Sequence, residues 1–86
     1  MPKISEFFGI SIYMYFEDHA PPHFHAHYAE FEALIRIDDF SVLRGSLPPR
    51  ALGLVVEWAG LRKRELAEAW RQAQARQTLS KVLPLE

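Results

Sequence analysis

The stretch that decides the fold is Glu17-Asp18-His19-Ala20-Pro21-Pro22-His23-Phe24-His25-Ala26-His27-Tyr28, and it contains all four histidines of the chain. After the two prolines, histidines alternate with apolar and aromatic residues. Because successive side chains of an extended strand point to opposite faces, this alternation predicts a strand with its imidazoles on one face. His23, His25 and His27 would line one side of a sheet, and Phe24, Ala26 and Tyr28 the other.

Similar alternation predicts strands on both sides of this segment. Residues 10–16 and 31–37 each place apolar side chains on one face, and residues 41–44 form a shorter strand that ends at Gly45. Residues 18–22 are predicted to be a loop, because proline cannot donate to a strand ladder. Strands 23–28 and 31–37 are predicted to form a hairpin in which His27, His25 and His23 lie opposite Glu32, Leu34 and Arg36.

The second half of the chain predicts helix. Pro48-Pro49 suits a first helical turn, and the apolar stripe of residues 52, 55, 56, 59, 66, 70 and 73 fits either one long helix or two helices broken near Gly60. The segment from Lys81 to Leu85 is predicted to add a short edge strand. The predicted packing places Leu52, Val56, Leu66 and Trp70 on Ile10, Ile12, Phe24 and Ile35.

These elements predict an α+β fold in a single domain over residues 1–86. A small antiparallel sheet of about four strands would be covered on one face by one long or two shorter C-terminal helices. A chain of 86 residues leaves room for one core only. The sheet face with the histidines is expected to remain accessible.

Composition excludes several classes of protein. The chain has no cysteine, a net charge of −1 and 49% hydrophobic residues. It therefore forms no disulfides, and it lacks the run of about 20 apolar residues that crosses a membrane. Its N-terminus does not resemble a signal peptide. We expect a cytoplasmic protein with no membrane partner, and the exposed edges of a small sheet allow a homodimer.

The histidine pattern is compatible with a metal site. His23 and His25 lie two residues apart on one strand face, with Cα atoms ~6.5–7 Å apart, so that both imidazoles can approach one ion. Asp18 is the expected third ligand, with His19 as an alternative. The cofactor would be zinc or another divalent metal.

The same residues are compatible with acid–base catalysis that needs no cofactor. His23 and His25 would take a proton from a ribose hydroxyl and return one to the leaving oxygen. His19 is a further candidate, and Asp18 would orient it. The expected substrate-binding residues are arginines for phosphate and tyrosines for base stacking: Arg36, Arg50, Tyr13 and Tyr15. A third alternative is that the histidines are ordinary surface residues.

Several motifs resemble one family. They are Phe8-Gly9-Ile10, Met14-Tyr15, Asp18-His19-x-Pro21-Pro22-His23-Phe24-His25, Gly45-x-Leu47-Pro48-x-Arg50, Trp58, Glu65-Leu66 and Trp70. Together they resemble the small bacterial domain-of-unknown-function family DUF4160 over nearly the whole chain.

The resemblance implies a role in a two-gene module. Genes of this family often lie beside a gene of another uncharacterised family, DUF2442, and the pair resembles a type II toxin–antitoxin module. This chain would be the toxin, and its partner a small cognate antitoxin-like protein. The histidine row, taken together with this resemblance, suggests a toxin that acts on RNA. The family motif covers Asp18, His19, His23, His25 and Arg50. The alternative is a protein-binding module without enzymatic activity.

Overall fold

The computed structural model describes residues 2–86. Five strands precede two helices: β1 Lys3–Phe7, β2 Ile10–Tyr13, β3 His23–Tyr28, β4 Phe31–Arg36, β5 Val42–Gly45, α1 Pro49–Leu61 and α2 Lys63–Gln74. The strands form one antiparallel sheet in chain order. This architecture confirms the predicted α+β class, with one strand more than expected.

The predicted register of the central hairpin is confirmed. In the β3–β4 pair, Phe24 lies opposite Ile35 and Ala26 opposite Ala33, and these four side chains are buried in the core. On the other face, His27, His25 and His23 lie opposite Glu32, Leu34 and Arg36. The hairpin closes through Ala29, which adopts a positive φ of 52°.

Other strand boundaries differ from the prediction. Strand β1 was not predicted, because Ile4 and Ser5 are both buried and a register shift interrupts its alternation. Strand β2 ends at Tyr13 rather than at residue 16. The predicted edge strand from Lys81 to Leu85 is wrong: the segment forms no strand, although the Val82 N–H donates to the Ile4 carbonyl at 2.7 Å.

Two helices, rather than one, follow the sheet, and they separate at Arg62 instead of Gly60. Arg62 leaves helical geometry with φ −116° and ψ 21°. Gly60 lies inside α1, as expected from its modest cost of about 1 kcal/mol in a helix. Neither helix of the described residues is long and apolar enough to span a membrane.

The packing face of α1 corrects the prediction for Leu52 and Val56, which are only partly buried. The buried side chains of α1 are Ala51, Val55, Trp58 and Ala59. Trp58 sets this orientation: its indole packs against Phe7 and Phe24, with ring centroids 5.1 and 5.7 Å away, and its N–H donates to the Leu83 carbonyl at 2.8 Å. Leu66 is buried as predicted.

Gly45 permits the close approach of β5 to β4. Its φ is +77°, and a Cβ there would lie 2.1 Å from the Glu32 carbonyl oxygen.

We expect Gly45→Ala to lower the free energy of unfolding in urea by about 2 kcal/mol or more. Gly53→Ala is the matched control, because a Cβ at this helical position meets nothing within 4 Å; it should stabilise by about 0.5–1 kcal/mol. Equal stability of the two variants would contradict this account.

Asp39 stabilises the turn before β5 in a pH-dependent way. Its Oδ1 accepts hydrogen bonds from the Ser41 hydroxyl at 2.7 Å and from the Ser41 N–H at 3.1 Å. These bonds hold the pKa of the Asp39 carboxyl below its usual value. A lowered pKa in the folded state gives stability that is present above the ordinary aspartate pKa and lost as pH falls through the folded value.

Asp39→Ala should therefore be less stable than wild type in urea at pH 7. The difference in unfolding free energy between the two proteins should become smaller in strong acid. A difference that is the same at both pH values would refute this.

Candidate functional site

The loop before β3 is held in place by the C-terminal end of α2. The Glu17 N–H donates to the Ala73 carbonyl at 3.3 Å, and the Gln74 side-chain amide donates to the Asp18 carbonyl at 3.2 Å. An exposed ion pair joins Arg76 Nε to Glu17 Oε2 at 3.0 Å. These contacts place the Asp18 side chain beside the start of β3.

Asp18 lies between two imidazoles. Its Oδ2 is 3.1 Å from His23 Nε2 and 3.1 Å from His25 Nε2. One ligand-type atom from each of these three residues lies within 4.8 Å of the other two. The structure therefore brings together three of the predicted site residues, and we call them the Asp–His–His cluster.

His23 is buried, which corrects the expectation that the histidine face is fully accessible. Only 4% of the residue is exposed, since Trp70 of α2 packs against its ring with centroids 5.4 Å apart. Its Nδ1 lies 2.7 Å from the Pro21 carbonyl oxygen. Because a carbonyl can only accept, Nδ1 carries a proton and donates it there. Within the described part of the chain, His23 Nε2 is buried and has no aligned hydrogen bond, despite its proximity to Asp18. His27 Nε2 has the same status beside Glu32.

His25 lies between two carboxylates. Its Nε2 is 3.1 Å from Asp18 Oδ2, and its Nδ1 is 3.3 Å from Glu32 Oε2. The edge of the Tyr15 ring packs on it at a centroid distance of 4.3 Å, which leaves 11% of its side chain exposed. Glu32 Oε2 also lies 3.2 Å from His27 Nε2. Carboxylates and imidazoles thus alternate along this face in the order Asp18, His25, Glu32, His27.

Asp18 is set to carry a negative charge. Burial pushes the pKa of its carboxyl up, but hydrogen bonds from His25 and from the His19 backbone N–H, together with the nearby imidazoles, outweigh burial and hold the pKa below its usual range. The His19 bond, to Asp18 Oδ1, measures 2.8 Å. Oδ2 is then the oxygen that faces both histidines.

The remaining predicted residues differ in their distance from the cluster. Arg36 is the cross-strand neighbour of His23, on the same sheet face. Tyr13 packs edge-on against His27 at 4.8 Å. The His19 ring is exposed and makes no hydrogen bond or ion pair within residues 2–86.

Arg50 does not belong to the cluster. It lies in the first turn of α1 and lines a cavity with Tyr28, at the opposite end of β3 from His23. Tyr28 lies five residue steps along the strand from His23, which corresponds to roughly 17 Å. Arg50 therefore lies toward the end of β3 that is remote from the buried histidine.

Three residues of the site were not identified from the sequence. The predicted hairpin register already placed Glu32 opposite His27, and this signal could have assigned it to the site. Trp70 was expected on the apolar side of the sheet, whereas its ring contacts His23. Nothing in the local pattern indicated that Gln74 holds the Asp18 loop.

The fold and this cluster define a small α+β domain with two histidines and one carboxylate directed at a common point. Residues 9–71, well over half of the chain, match the family model described as "Domain of unknown function (DUF4160)". The chain therefore belongs to the DUF4160 family, as its motifs indicated. No curated protein and no solved structure matches it.

Proposed function

We propose that this protein binds one divalent transition-metal ion through Asp18 Oδ2, His23 Nε2 and His25 Nε2. The observation that carries the proposal is the buried Nε2 of His23, which faces a carboxylate without an aligned hydrogen bond. Its Nδ1 proton is committed to the Pro21 carbonyl, so Nε2 of the neutral ring presents a lone pair toward Asp18. A cation between the two groups removes that repulsion.

The spacing of the donor atoms supports this assignment. Two ligands at ~2.1 Å from one ion lie about 3.0 Å apart at a right angle and about 3.4 Å apart at the tetrahedral angle. Asp18 Oδ2 is 3.1 Å from each Nε2, which falls in that interval. Both distances from the Asp18 carboxylate to the imidazoles therefore suit ligands of a single ion.

The outer contacts of both imidazoles also support a metal ligand role. Metal-bound histidines usually donate their second ring N–H to a backbone carbonyl or a carboxylate, which fixes the tautomer and the ring orientation. His23 has the Pro21 carbonyl in this position, and His25 has Glu32.

The donor set favours transition metals over magnesium. Two imidazoles and one carboxylate suit zinc or iron(II), whereas magnesium prefers oxygen ligands. Three protein ligands leave coordination positions for water or substrate, as catalytic zinc sites do. A bound zinc ion would supply a water of lowered pKa or polarise a substrate oxygen. In this proposal Asp18, His23 and His25 hold the ion, and Glu32 orients His25.

Calorimetry with Zn²⁺ and Mg²⁺ tests the metal site. Wild type should bind zinc at one equivalent and should not bind magnesium. Glu32→Gln removes an outer partner of His25 and should weaken zinc binding by about 10- to 100-fold. Asp18→Asn removes a ligand and should weaken zinc binding by more than this. His19→Ala is the control and should match wild type, since the His19 ring contributes no contact.

Tryptophan fluorescence gives a second readout of the same site. Trp70 packs on His23, whereas Trp58 lies in the core against Phe7 and Phe24. Zinc should change the fluorescence emission of wild type. It should leave the emission of Trp70→Phe, which comes from Trp58, unchanged. Zinc binding of equal strength in wild type and Asp18→Asn, or no saturable binding to wild type, overturns the proposal.

A second candidate function is a toxin that acts on RNA, held in check by a cognate antitoxin-like partner. It is favoured by the position of His25 between Asp18 and Glu32, because both ring nitrogens lie within hydrogen-bond distance of a carboxylate and can relay a proton. In this proposal His25 exchanges protons with substrate and Asp18 orients it. Burial of His23 argues against its direct contact with a ribose.

Expression in a bacterial host tests the toxin. Expression of the wild type should arrest growth of the host. Co-expression of the product of the neighbouring gene should restore growth. Asp18→Asn and His25→Ala should lose the arrest, whereas His19→Ala should keep it. Purified protein should cleave RNA, and EDTA separates the two mechanisms, since it abolishes metal-dependent cleavage only. Normal growth of a host that expresses the wild type well would rule out the toxin hypothesis. It would not affect the metal proposal, which the zinc titration tests separately.

A further inference from the structure

A cavity lies at the end of the molecule away from the Asp–His–His cluster. It has a volume of about 450 Å³ and opens between the β1–β2 turn, the end of β3 and the first turn of α1. This volume is within the range of about 300–1,000 Å³ that is typical of small-molecule sites. Its principal lining residues are Phe8, Ile10, Tyr28, Pro48, Arg50 and Leu54.

The lining combines apolar surface with one cation. Among the described residues 2–86, no carboxylate side chain lines the cavity. Arg50 forms no ion pair within residues 2–86, unlike Arg62, Arg71 and Arg76. An unpaired guanidinium beside apolar walls is suited to a ligand that has an anionic group on a hydrophobic body.

Phe8 gives the cavity an unusual aromatic wall. Phe8 is 60% exposed. It adopts a φ of 51°, a backbone conformation that residues with a Cβ seldom use. A large aromatic ring in this position gains little from the core. The neighbouring Gly9 has a φ of +78° and lies beside the Tyr28 ring, since a Cβ at this position would be in ordinary contact with Tyr28 Cε1 at 3.6 Å. Two aromatic residues therefore flank the opening that Arg50 borders.

We propose that this cavity binds a planar aromatic anion. The ring of the ligand packs against Phe8 and the apolar side chains, and its carboxylate or phosphate accepts hydrogen bonds from Arg50. A small aromatic acid and a nucleotide share this chemistry. The site is independent of the metal proposal, because none of the three cluster residues lines the cavity.

The test uses the full chain and NMR or calorimetric titration with four probes. They are indole-3-carboxylate, its neutral amide, uridine monophosphate and inorganic phosphate. Indole-3-carboxylate or uridine monophosphate should bind and shift the signals of the cavity residues. The amide should bind more weakly than the acid, and phosphate alone should bind more weakly than the nucleotide.

Variants identify the contacts. Arg50→Gln should weaken binding of the charged probes by about 10- to 100-fold, the effect of losing a charge-assisted hydrogen bond. Phe8→Gly should also weaken it while keeping the fold, because glycine accepts the positive φ at this turn. Arg44→Gln, at an exposed arginine of β5 outside the cavity, is the control and should bind as wild type does.

The outcomes are decisive. Binding of the acid alone assigns the site to small aromatic acids, and binding of the nucleotide alone assigns it to nucleotides. The proposal is overturned if neither binds at millimolar concentration, if the amide equals the acid, if phosphate alone equals the nucleotide, or if Arg50→Gln binds as wild type does. Failure of zinc binding has no bearing on these results.

Discussion

The register of the β3–β4 hairpin is the constraint on which the rest of the structure depends. Pairing of Phe24 with Ile35 and of Ala26 with Ala33 directs these side chains into the core. A shift of one residue would move them to the other face. Full burial of one large apolar side chain contributes about 1.5–3 kcal/mol, whereas the more exposed His27–Glu32 pair contributes about 1 kcal/mol or less. The apolar residues therefore decide where the histidines lie.

The polar site depends on contacts across the whole chain as well as on this hairpin. Asp18 reaches the histidines because its loop is bound to the last turn of α2, more than fifty residues away in sequence. Trp70, on the same helix, covers His23. Helix α2 thus has two roles: Leu66 and Ala69 pack in the core, while Trp70 and Gln74 shape the site.

The sequence was sufficient for the features that local periodicity controls. The alternation over His23–Tyr28 predicted β3, its partner and their register, and the spacing of Asp18, His23 and His25 predicted that they could meet. It did not reveal β1, where a bulge breaks the alternation, or the orientation of α1, because Val55 and Val56 fit the helical stripe equally well. The burial of His23 could not be predicted either, since it results from the way α2 passes the end of the sheet. Periodicity describes one element at a time and contains no information about that crossing.

The anchoring of the Asp18 loop has a thermodynamic consequence. Ala73 and Gln74 contribute to holding the loop, so the geometry of the carboxylate and the seating of the C-terminal helix are linked equilibria. A ligand that binds better when the Asp18 carboxylate is ordered must also stabilise the packing of the helix against the sheet. By reciprocity, a protein that draws the helix away must lower the affinity for that ligand by the same factor. A partner could in this way regulate the histidine face without touching it.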